Sequence, residues 1–170
     1  MLRHEGFSMN DPDILATTGW TTADLMQGIK KANVDKRYDI VSLLIGVNNQ
    51  YQGRPLDEYE IDFHQLLMEA IKLADGKENR VFVLSIPDYS ITPFASPLDT
   101  GEIQRSLQEF NAINRSISLK FAVHYVEITG ESRKAAEDHS LLASDGLHYS
   151  GKEYARWAAI LSSAIGNSIK

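Results

Sequence analysis

Apolar positions along this chain switch repeatedly between two spacings, and each switch marks a change of element. Near-continuous Val, Ile, Leu and Phe over residues 39–45 and 80–86 read as strands covered on both faces, and shorter extended runs stand at 13–17 and 122–128. Between them the period lengthens. Phe63, Leu66, Leu67, Ala70, Ile71 and Ala74 recur at helical spacing, as do Ile103, Leu107, Phe110, Ile113 and Ile117. A helix over 22–32 has Thr21 as N-cap and Asp24 three residues on, the pattern of a capping box. A last helix over 151–165 is expected to turn Tyr154, Trp157, Ala158 and Leu161 inward, and the Pro-containing stretch 87–101 reads as a loop following a strand. Alternating strands and helices predict an α/β domain with a mostly parallel sheet. No internal repeat or interdomain linker interrupts the pattern, so a single domain spans 1–170.

Composition narrows the function classes. A domain of 170 residues buries about 70% of the surface its unfolded chain exposes, so a substantial core is available without staples. The 43% hydrophobic and 24% charged content are those of a globular protein. With a net charge of -6 and only 17 Lys and Arg spread thinly, nothing resembles an electrostatic footprint for nucleic acid or an anionic membrane. The absence of cysteine excludes disulfides and thiolate chemistry. The longest apolar run, residues 40–47, is broken by Ser42 and Gly46 and is too short for a membrane span. None of this assigns a compartment.

Ligands of open α/β sheets sit beyond the carboxyl ends of the strands, and the residues suited to chemistry fall there. Gly19 and Trp20 follow the first strand candidate, Gly46 to Gln50 the second, Pro87 to Tyr89 the third, and Asp145 and His148 lie beyond the fourth. Acyl-ester hydrolysis needs a nucleophile, a base, a carboxylate to orient the base, and donors aimed at the developing oxyanion. His148 suits the base, and Asp145, three residues earlier, can hold one imidazole nitrogen and leave the other free. The side-chain amide of Asn48 and the backbone amide of Gly19 suit the oxyanion. Taken singly, an Asp and a His at a helix entrance are more commonly a cap and a surface residue, and glycines and Asn48 after strands are ordinary turn residues. Their occurrence together, in order at successive strand ends, is what points to chemistry.

These segments resemble a known family. Gly19, the Gly46-Val47-Asn48 stretch and the Asp145-Gly146-Leu147-His148 stretch are similar to the second, third and fifth sequence blocks of the SGNH hydrolases, the GDSL-type esterases and lipases. The resemblance implies a three-layer α/β/α sandwich with a flavodoxin-like, five-stranded parallel sheet. It also implies Gly19 and Asn48 as oxyanion-hole residues, His148 as general base, Asp145 as its orienting partner, a small-molecule acyl ester as substrate, and no cofactor. Trp20, Tyr51 and Tyr89 read as lining an acyl pocket or equally well as packing. A metal site on Asp145 and His148 lacks a third ligand at a recognisable spacing. His64, on a helical face, and His124, in a strand, read as structural or exposed rather than catalytic.

The family's first block, Gly-Asp-Ser at the end of the first strand, has no counterpart. Gly6-Phe7-Ser8 is its nearest imitation, but it follows a charged segment rather than a strand. The expectation is that the first, central strand and the nucleophilic serine lie outside this sequence, and that the strand edges so exposed close on each other or pair with another chain, as in a homodimer. Two other classes compete with the esterase. One is a binding module that keeps the pocket without the reaction; the other is a flavodoxin-like receiver or cofactor domain, which would want an acidic cluster after the first strand or a Gly-rich phosphate loop.

Overall fold

The computed structural model describes residues 2–168. Its sheet has three parallel strands in the order β1 (Val41–Leu43), β2 (Val81–Leu84) and β3 (His124–Val126). Val41 pairs with Val81, and Phe82 with His124. Successive side chains on a strand face opposite ways, so β2 feeds two cores. Val81 and Val83 join Tyr59, Phe63 and Leu67 of α3 (Leu56–Leu73) and Leu107 and Phe110 of α4 (Thr100–Lys120). Phe82 and Leu84 join Val126 and the Trp157 and Ile165 side chains of α6 (Gly151–Ser168). Two cores on two faces of one sheet make a three-layer α/β/α sandwich, the arrangement that the family resemblance implies.

The first helix, here α1 (Thr22–Ala32), has the expected box at its entrance: Thr21 Oγ1 accepts from Asp24 N, and Asp24 Oδ2 accepts from Thr21 N at 2.9 Å. Two short helices complete the count used below, α2 (Val47–Tyr51) and α5 (Thr129–Ser132). The loop after β2 contains two 3₁₀ turns, Tyr89–Ile91 and Pro93–Ala95. His64 stacks on Phe121 and His124 on Phe82, both in packing roles.

Three expectations need correction. Residues 13–17 form no strand: residues 7–17 carry no regular structure, and Ile14 is 78% exposed. A strand is held by a neighbour's backbone groups, and among the described residues no strand lies beside this run. The run is instead tied down at Asp13, which accepts from the Tyr38 hydroxyl at 2.6 Å and pairs with Lys36. The sheet accordingly has three strands, one fewer than the four candidate runs. On α6, Tyr154 and Ala158 are exposed, because the buried stripe of that helix runs through Glu153, Trp157, Ser162 and Ile165.

Candidate active site

Asp145 and His148 sit in a tight turn closed by an antiparallel bridge between Leu142 and Tyr149, with Ala143 N donating to His148 O at 2.8 Å. Gly146 makes the reversal at φ 69°. Asp145 Oδ1 accepts from the Leu147 and His148 amides, both at 2.9 Å, while Oδ2 stands 2.6 Å from His148 Nδ1. The Leu147 amide above all, then the His148 ring and amide, push the Asp145 carboxyl down to about 2. An ionised carboxylate has no hydrogen to give, so Nδ1 is the donor, and in the neutral ring Nε2 carries the free lone pair. Among the described residues no hydroxyl hydrogen-bonds to that Nε2. Both side chains are half or more exposed, so their pairing adds little stability; its consequence is a fixed ring.

The second segment is built where β1 ends. Gly46, at φ 122°, turns the chain into α2, and a Cβ there would collide with the Tyr59 hydroxyl and stand 2.7 Å from Ile86 Cδ1. The turn delivers Asn48, whose Nδ2 donates to Trp20 O at 2.9 Å, using one of its two hydrogens. Its neighbour is more deeply engaged. Asn49 is buried; its Oδ1 accepts from Thr22 N at 3.0 Å and its Nδ2 donates to Thr22 Oγ1 at 2.8 Å. Thr22 Oγ1 in turn donates to Asp62 Oδ2. The two asparagines staple the Gly19–Thr22 turn to α2, which brings Gly19 and Asn48 together. Gly19 is exposed at φ 86°, and its amide has no acceptor among the described residues.

Tyr51, at the far end of α2, meets the edge of Tyr89 and the tilted ring of Phe94, and Tyr89 donates its hydroxyl to Gln50 Oε1 at 2.9 Å. Phe94 N donates to Gly146 O at 3.0 Å, so these rings bridge α2 to the Asp145–His148 turn. On the other side of Asn48 lies a cleft of about 210 Å³, lined by Leu15, Trp20, Leu44, Val47, Tyr154 and Trp157 among others. Trp20 also lies flat against Gly28, where a Cβ would stand 2.8 Å from its Cζ3, so it packs as well as lining the cleft. Residues 3–156 match the GDSL-like lipase/acylhydrolase family. The chain belongs to that family.

Two solved structures show a similar fold. A lipase/acylhydrolase from Enterococcus faecalis is similar at a TM-score of 0.69 and 18% identity, over 89% of this chain and 73% of that one. Axe2, an acetylxylan esterase from Geobacillus stearothermophilus, is similar at a TM-score of 0.62 and 21% identity, over 89% and 68%. A search of curated proteins finds no match. At these identities the likeness speaks to the fold, and the family match makes the chain a member of an ester hydrolase class.

Against that family background, Ser8 is exposed within the irregular segment 7–17. Asn49 and Phe94 are the residues the sequence reading missed. The doublet Asn48-Asn49 was a visible signal for the first; for Phe94 there was none, because its place depends on a contact with Gly146 more than fifty positions away.

Proposed function

We propose that this chain carries the base and oxyanion machinery of a serine acyl-ester hydrolase. His148 Nε2 takes the proton of an attacking hydroxyl, Asp145 holds the ring through Nδ1, and the Gly19 amide and the second hydrogen of Asn48 Nδ2 receive the oxyanion of the tetrahedral intermediate. His148 then returns the proton to the departing alcohol. Trp20 and Tyr51 contact substrate on either side of Asn48. The observation that carries the reading is the Asp145 clamp, which spends one oxygen on two backbone amides and the other on Nδ1, leaving Nε2 available.

The nucleophile in this reading is a serine outside these residues, at the end of an apolar strand that pairs along the free edge of β1 and ends near Asn48. When that strand is absent, the same edge pairs two copies of the chain. A binding module without catalysis is the second reading, favoured by the lack of a hydroxyl on His148 Nε2 among the described residues. Hydrolysis of p-nitrophenyl acetate separates them, using this chain and one extended at its amino end by such a serine-bearing strand. The extended chain is expected to turn over. In it, His148→Ala should lower kcat/KM by about 10³-fold or more and Asn48→Ala by about 10²-fold. Background rates in the extended chain, or full activity without His148, would overturn the esterase assignment.

A further inference from the structure

Two large aromatic side chains near the Asp145–His148 turn are left in water: Tyr51 is 57% exposed and Phe94 39%. Their ring centroids are 6.3 Å apart and their planes meet at 48°, an open V rather than a packed stack. Both rings are fixed from below. Tyr51 rests on the edge of Tyr89, which is buried and tied to Gln50, and Phe94 is held by its amide on Gly146 O and follows Pro93, which packs on Gly146. One ring is therefore built on the helix of Asn48, and the other, on the loop after β2, is tied to the turn of His148. Donors belong to the same residues: the Tyr51 hydroxyl and the side-chain amide of Gln50, whose Oε1 is held by Tyr89.

We propose that Tyr51 and Phe94 form a subsite for the alcohol half of the ester, and that this alcohol is a pyranoside. The proposal rests on the esterase reading above and adds the substrate class to it. A pyranose ring offers a flat C–H face to an aromatic ring and hydroxyls to the donors around it, and its other face stays hydrated, which suits rings that are only half covered. An alkyl alcohol gains little from an open V, because its burial there is partial.

Binding tests this without any need for turnover. Xylotetraose, with 1,6-hexanediol as the alkyl control, is titrated into the chain and followed by NMR shifts of the Tyr51 and Phe94 ring protons. Xylotetraose is expected to bind and to shift both rings. Tyr51→Ala and Phe94→Ala should each weaken it about fivefold, the equivalent of about 1 kcal/mol per ring, while Phe94→Trp retains binding. Unchanged thermal midpoints in the alanine variants show that the fold is intact. No binding, binding indifferent to both rings, or equal binding of hexanediol would overturn the subsite. Binding is read on this chain and hydrolysis on the extended one, so the two ideas fail separately.

Discussion

Asp145 divides its two oxygens between the backbone and the imidazole, and this division has a measurable signature. An Asp carboxyl ordinarily titrates near 3.9, and this one is pushed down to about 2. Because the folded value lies below the unfolded one, the clamp's contribution is present above about 4 and is lost only as pH falls through about 2. The amide protons of Leu147 and His148 should therefore hold their NMR shifts between pH 5 and 3 and move at lower pH; a midpoint near 4 would show the clamp is not formed. Two glycines make a second residue-scale comparison. Gly46→Ala meets both a positive φ and occupied space, and should cost at least about 2 kcal/mol in urea unfolding. Gly19→Ala has open space around it and should cost only about 1 kcal/mol, for its φ alone. At this scale the Asp145–His148 pair was legible because both partners lie in one turn. The doublet marks Asn49, but not its partner, because its bond to Thr22 joins residues 27 positions apart.

Helices proved easier to read than strands, and the reason is physical. A helix satisfies its backbone within itself, so Thr21, Asp24 and a 3.6-residue stripe locate α1 from local sequence alone. A strand is completed by its neighbour, and the apolar run at 13–17 has none beside it. The α6 stripe was misjudged for a related reason: Glu153 lies fully buried inside it, a position that periodicity gives to an apolar residue. Its Oε1 accepts from the Trp157 indole at 2.7 Å, but Oε2 has no hydrogen bond and stands 3.6 Å from Arg156 Nε. Burial pushes the Glu153 carboxyl above its ordinary value. A carboxyl raised on folding favours the fold most below its unfolded value, near 4.3, and loses that contribution as pH rises. Glu153→Gln keeps an acceptor for Trp157 without the charge, and should raise stability at neutral pH by up to about 1 kcal/mol while flattening its decline as pH rises above the ordinary carboxyl range. A large loss in urea midpoint at pH 7.5 would show instead that the pairing with Arg156 outweighs burial.

For the molecule as a whole, the open side of the sheet decides most. β2 is buried and paired on both sides, whereas β1 pairs on one side only, with Leu44 39% exposed at its end. An unpaired strand edge is a template for another strand, and natural proteins cover or charge such edges when they work alone. This one is neither covered by a strand nor charged: its residues are Val41, Ser42 and Leu43. Pairing through it makes a continuous sheet across two copies, so the 170-residue chain should sediment as a concentration-dependent dimer. Leu44→Lys, placing a charge at that edge, should shift it to monomer without lowering its thermal midpoint. The same edge is the proposed seat of the serine-bearing strand, and two strands cannot occupy one ladder. The chain extended by that strand should therefore be monomeric and active under conditions where the shorter chain is dimeric and silent. If the short chain is monomeric at high micromolar concentration, or if Leu44→Lys leaves the dimer intact, the β1 edge is not the contact, and the proposed route by which the nucleophile reaches His148 loses its structural support.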